Sequence, residues 1–103
     1  MHPLVASRKK EIAELCRRYR VRRLDVFGSA ARGDDFDPAR SDADFLVEFE
    51  QTSERSSLDE YFGFQESLEM LLGRPVDLVE AGAVRNPFVL SSINRSKESV
   101  YAA

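Results

Sequence analysis

From Ala43 to Phe49 the chain alternates: Phe45, Val47 and Phe49 fall on one side, and Asp44, Leu46 and Glu48 on the other. A period of two is that of a β-strand with one face in a core. This strand carries a carboxylate near its start, Asp44, and a second, Asp42, stands two residues earlier. Such positions share a face, so Asp42 and Asp44 aim at one point. Carboxylates held that close repel each other unless a cation lies between them. Hard oxygen donors favour magnesium or manganese over zinc. The chain must therefore adopt a fold that buries one face of this strand and leaves the other open to an ion.

The remaining elements can be read around that strand. Ile12, Leu15, Cys16 and Tyr19 recur at helical spacing and predict a helix over 7–20. Arg17, Arg18 and Arg20 crowd its C-terminal end, where cations suit the helix dipole. Val21 to Phe27 reads as a first strand, broken by Gly28-Ser29. Ser29 to Gly33 suits a short helix, and Asp37-Pro38 marks a turn within a loop over 34–40. After a polar stretch at 51–56, residues 57–72 form the longest helix. Ser56 or Ser57 can cap it, Asp59 or Glu60 can complete a capping box, and Gly73 followed by Pro75 ends it.

Leu58, Tyr61, Phe62, Gln65, Leu68, Glu69 and Leu72 trace the face of this helix, and Phe64 and Leu71 widen it. The apolar excess (Tyr61, Phe62, Phe64, Met70, Leu71) goes beyond one face; it suits either a fully buried helix, the favoured expectation, or a partner interface. Pro75 to Glu80 predicts a third strand. Asn86-Pro87 opens a last helix through about Asn94, and Ser99 to Tyr101 a short final strand. The order α-β-α-β-α-β-α predicts an α/β (α+β) fold, a small mixed sheet flanked by helices, in a single domain over residues 1–103.

Composition removes several chemistries. With one histidine, His2, near the N-terminus and one cysteine, Cys16, on an apolar helical stripe, neither a Ser-His-Asp nor a Cys-His arrangement can be built. Cys16 is expected in the core. No apolar run approaches a membrane span, so a cytoplasmic protein is expected. The net charge of −3 hides an asymmetry: residues 1–23 hold eight basic side chains against Glu11 and Glu14. A solvated basic helix face is the plain reading, and a surface for an acidic partner, for nucleotide phosphates or for RNA the sharper one. Nucleic acid is disfavoured, because the overall balance is acidic and no aromatic residues are interleaved for stacking.

Asp77 is the third informative carboxylate, set between Val76 and Leu78, where an unpaired buried charge is costly, so it either faces solvent at a strand edge or has company. If its strand lies beside that of Asp42 and Asp44, the three carboxylates form a cluster able to hold two metal ions for in-line displacement at phosphorus. Gly28 permits close approach of a phosphate. The N–H groups at Gly28-Ser29 and the Ser29 hydroxyl are candidate phosphate contacts. Arg32 either stabilises leaving-group charge or pairs with a neighbouring aspartate. Gly28, Ser29, Arg32 and Ser41 are the nucleotide-binding candidates; Asp42, Asp44 and Asp77 are the metal-binding and catalytic ones.

The block Gly28-Ser29-Ala30-Ala31-Arg32-Gly33, followed by Ser41-Asp42-Ala43-Asp44-Phe45-Leu46-Val47, resembles the signature of the minimal nucleotidyltransferases of the DNA-polymerase-β-like superfamily. The resemblance covers nearly the whole chain and includes Asp77 within Arg74-Pro75-Val76-Asp77-Leu78-Val79. It implies that fold, Mg2+ or Mn2+ as cofactor, and ATP as substrate. Members of this length are similar to antitoxins paired with a HEPN-domain ribonuclease toxin. The resemblance implies AMP transfer to a tyrosine hydroxyl of the toxin and an assembly with it. A binding module that neutralises its partner without catalysis, and a small-molecule nucleotidyltransferase, are the alternatives.

Overall fold

Two strands that share no turn lie side by side and set the geometry of this protein: β2 (Ala43–Phe49) and β3 (Val76–Glu80) pair in parallel. Parallel neighbours need a crossover, and α3 (Ser57–Leu72) supplies it. The computed structural model describes residues 1–28, 31, 43–50 and 57–103, with Ser57 described by its backbone. β1 (Val21–Phe27) runs antiparallel to β2 on the other side, and β4 (Glu98–Ala102) antiparallel to β1. The result is a mixed four-stranded sheet in the order β3-β2-β1-β4. Among the described residues the other helices of four or more residues are α1 (Pro3–Ala6), α2 (Lys9–Arg18) and α4 (Pro87–Ser96), with a 3-10 turn at Ala81–Ala83.

One face of the sheet is the core. Leu24 and Val26 of β1, Phe45 and Val47 of β2, and Val76 and Leu78 of β3 point into it. They meet Val5, Ile12 and Cys16 from the first two helices and Phe64, Leu68 and Leu72 from α3. Phe64 stands edge-on to Phe49, ring centroids 6.2 Å apart, and tilted against Tyr19 at 6.0 Å. Burying each large apolar side chain contributes about 1.5–3 kcal/mol. Burial pushes the Cys16 thiol up to about 12, against a smaller opposing pull from Arg17, so it stays a protonated core group. Among the described residues, no helix is long and apolar enough to cross a membrane.

The predicted boundaries hold where cap chemistry is strong. Gly73 takes φ +68, and the N–H groups of Gly73 and Arg74 both return to the Glu69 carbonyl, closing α3. The Asn86 side chain accepts from the N–H of Phe88 at 2.9 Å and of Val89 at 3.4 Å, opening α4 with Pro87 in its first turn. The helix expected over 7–20 is α2, shorter at both ends, and a short helix that was not expected, α1, precedes it. His2 Nδ1 accepts from the Leu4 N–H at 3.1 Å, and Pro3 starts a separate turn that buries Val5.

α3 departs from expectation in its surface. Phe64, Leu68 and Leu72 are buried, but Leu58, Phe62 and Met70 are 63%, 59% and 79% exposed. The sheet is narrow, and one helix face suffices to cover its core side. The expected cap at Ser56 and the loop at 51–56 lie outside the described residues, as does all of the predicted 29–33 helix except Ala31.

Candidate active site

The ladder between β2 and β3 sets Asp44 directly opposite Asp77. Neighbouring strands lie about 4.8 Å apart, and partners in register present their side chains to the same face. That face is the one away from the core, since Ala43 and Phe45 on either side of Asp44, and Val76 and Leu78 on either side of Asp77, are buried. Asp44 is half-buried and Asp77 exposed. The partner of Asp44 on its other side is Phe27, the last residue of β1. Gly28 follows at once, so the turn after β1 arrives beside Asp44.

Gly28 is required there by both its backbone and its surroundings. It takes φ +69, and a Cβ at this position would lie 2.8 Å from Asp44 Oδ2. The Gly28 N–H, expected to point at a phosphate, donates instead to Ser96 Oγ at 3.1 Å. Ser96 closes α4, 68 positions away, and its hydroxyl also reaches back to the Ser92 carbonyl at 3.5 Å. Gly28 thus contributes room, and its turn is pinned by a helix that the local motif does not contain. The Gly28 carbonyl in turn accepts from the Ala31 N–H at 3.1 Å. Ser96→Ala leaves the Gly28 N–H without that acceptor and is expected to cost about 1 kcal/mol in urea unfolding. Ser96→Thr keeps the acceptor and should stay near the wild-type value.

Of the other sequence candidates, Ser29, Arg32, Ser41 and Asp42 lie outside the described residues. Among the described residues no group of three metal-binding side chains is gathered. Asp44 and Asp77 nonetheless fit a divalent cation: two carboxylates in register on one open face, against a glycine whose missing Cβ leaves the space free. Tyr61 of α3 stands near Asp77. Burial first, and then the charges of Asp77 and Glu80, push its phenol above the ordinary range.

Sequence reasoning passed over Asp25. It shares the face of Asp44 one row back, opposite Leu46, yet is only 2% exposed. Its Oδ2 pairs with Arg23 Nε at 3.4 Å, and its Oδ1 is buried without a hydrogen-bond partner. Leu90, Asn94 and Lys97 at α4 roof a hollow over it. An aspartate in a strand that alternates Leu24, Asp25, Val26 looks solvent-facing unless the covering helix is known.

The fold and the motif have close counterparts. The family model for the nucleotidyltransferase domain matches residues 8–101. The protein adenylyltransferase MntA of Thermococcus cleftensis is 40% identical over 83 residues, covering 81% of this chain and 76% of that protein. A solved structure described as a candidate minimal nucleotidyltransferase superposes with a TM-score of 0.74 at 32% identity, covering 95% of each chain. A toxin–antitoxin crystal structure with AMP-PNP shares the fold, with a TM-score of 0.69 at 18% identity, over 92% of this chain and 73% of that one. Paired aspartates beside a glycine turn, carried on this sheet and matched along nearly the full length, mean that the chain belongs to the nucleotidyltransferase domain family.

Proposed function

We propose that this protein transfers AMP from ATP to a tyrosine hydroxyl of a HEPN-domain ribonuclease toxin, in a metal-dependent reaction, and so acts as its antitoxin. The observation that carries the proposal is the register of Asp44 with Asp77 beside the Gly28 turn. In this reading Asp42, Asp44 and Asp77 hold Mg2+ or Mn2+. The bound ions would neutralise the triphosphate and acidify the acceptor hydroxyl. Ser29, Arg32 and Ser41 serve the nucleotide, and Gly28 gives it space.

The acceptor oxygen forms a bond to the α-phosphorus, the bond from that phosphorus to the bridging oxygen breaks, and pyrophosphate leaves with the electron pair. Asp77 is exposed, so an incoming hydroxyl can pass its proton to that carboxylate. A macromolecular acceptor suits α3, where Leu58 and Phe62, one turn apart, leave large apolar side chains uncovered. The relative from Thermococcus cleftensis is named a protein adenylyltransferase, and one structural neighbour is a tri-AMPylated HEPN toxin bound to its antitoxin.

The test incubates the purified protein with ATP, Mg2+ and a candidate HEPN partner, and follows the partner by intact-mass spectrometry. Mass gain in AMP units, abolished by EDTA, is the expected result. A tight complex with no mass change under any of the four nucleoside triphosphates would sink the transferase reading in favour of simple binding.

A further inference from the structure

β3 is an outer strand of the sheet, so the side away from β2 presents backbone groups that need partners. Three side chains of α3 supply them. The Tyr61 hydroxyl donates to the Leu78 carbonyl. Gln65 Nε2 donates to the Val76 carbonyl at 2.9 Å, and the Val76 N–H donates to Glu69 Oε2 at 3.0 Å. Tyr61, Gln65 and Glu69 recur every fourth residue, one polar row along a helix whose adjacent face holds Phe64, Leu68 and Leu72 in the core.

The row grips the residues on both sides of Asp77. Backbone groups alternate in direction along a strand: those of Val76 and Leu78 turn outward to α3, and those of Asp77 turn inward to β2. Asp77 is therefore fixed by the β2 ladder through its own amide and by α3 through its neighbours. A carboxylate that must meet Asp44 around a cation gains from such a hold, because groups that orient a metal ligand affect its affinity.

We infer that Tyr61, Gln65 and Glu69 are positioning residues of the transfer reaction, holding the outer edge of β3 so that Asp77 stays in register with Asp44. This rests on the metal-dependent reading above. It also explains why polar side chains interrupt the apolar face of α3: an apolar residue at Gln65 would leave the Val76 carbonyl unpaired.

The test measures Mn2+ binding by electron paramagnetic resonance, with a non-hydrolysable ATP analogue present, alongside urea unfolding. Tyr61→Phe and Gln65→Met keep shape and lose the donor. Each is expected to weaken Mn2+ binding, and the two together by about tenfold, the low end for groups that orient metal ligands. Glu69→Gln retains an acceptor oxygen for the Val76 N–H and should bind Mn2+ like the wild type. Variants that lose stability but bind Mn2+ as the wild type does overturn the inference, since a merely structural role moves only the unfolding midpoint. A wild-type protein that binds no Mn2+ overturns the metal reading, and the inference with it.

Discussion

In the proposed reaction, Asp44→Asn is expected to lower AMP transfer by about 10³-fold, because the cation that this carboxylate would help to hold would supply several kcal/mol of charge stabilisation. The same change should leave the fold within about 1 kcal/mol of the wild type. Asn keeps the shape of the side chain, and it removes one of two like charges set opposite each other across β2 and β3. Like charges in register cost about 0.2–1 kcal/mol, so relief of that repulsion acts in the stabilising direction. Activity and stability thus part company, as they do where a site holds groups that the fold alone would not choose. Adding Mg2+ and ATP at about a hundred times the dissociation constant should stabilise the wild type by about 2.7 kcal/mol, and the variant by much less. Intact-mass spectrometry and urea melts with and without ligand check both halves. A variant that transfers AMP at the wild-type rate removes Asp44 from the site. One that transfers nothing yet still silences the partner shows that neutralisation rests on binding.

The strand of Asp44 was legible because a period of two is written in the residues themselves. Ala43–Phe49 begins and ends where alternation and the neighbouring polar loops predict. α3 was legible for another reason: Gly73 and Pro75 stop a helix by local backbone chemistry, and Ser57–Leu72 has the predicted ends. A carboxylate between Val76 and Leu78 suits either a solvent-facing strand edge or a place beside the strand of Asp44; β3 is an outer strand with Asp77 exposed, and its register also sets Asp77 opposite Asp44. What sequence reading missed depends on contacts between distant segments. Ser96 looks like an ordinary helix-end serine until the Gly28 N–H is seen to reach it. Gln65 and Glu69 fall on the packing face of the helix, but what two polar residues do there is not legible until the outer edge of β3 is placed against them. Phe62 and Met70 were expected inside because hydrophobicity counts residues, whereas the width of the sheet decides how many can be covered.

Gly28→Ala should damage function far more than stability, and a second glycine makes the comparison quantitative. Gly28 and Gly73 have nearly the same backbone, φ +69 and φ +68. An L-residue in this region costs about 1–2 kcal/mol, so alanine at either site should lower the unfolding free energy by a similar amount. Their surroundings differ. A Cβ at Gly73 meets nothing within 4 Å, whereas a Cβ at Gly28 meets Asp44 Oδ2 at 2.8 Å. No real Cβ is held that close, so one group must move. The backbone of Gly28 is tied to Ser96 and to Ala31, so the end of the Asp44 side chain, the atom that the new Cβ meets, is the group that must shift. That carboxylate then leaves the position opposite Asp77, and transfer falls with it, by about 10²-fold if a displacement near 1 Å is enough to misplace a reacting group. Gly73→Ala, with equal strain and no contact, should retain near-wild-type transfer at temperatures where it is folded. Urea unfolding of both variants, followed by transfer rates under folded conditions, separates strain from contact. Equal losses of activity in the two variants would mean that Gly28 acts through backbone conformation alone and that the space beside Asp44 is not used.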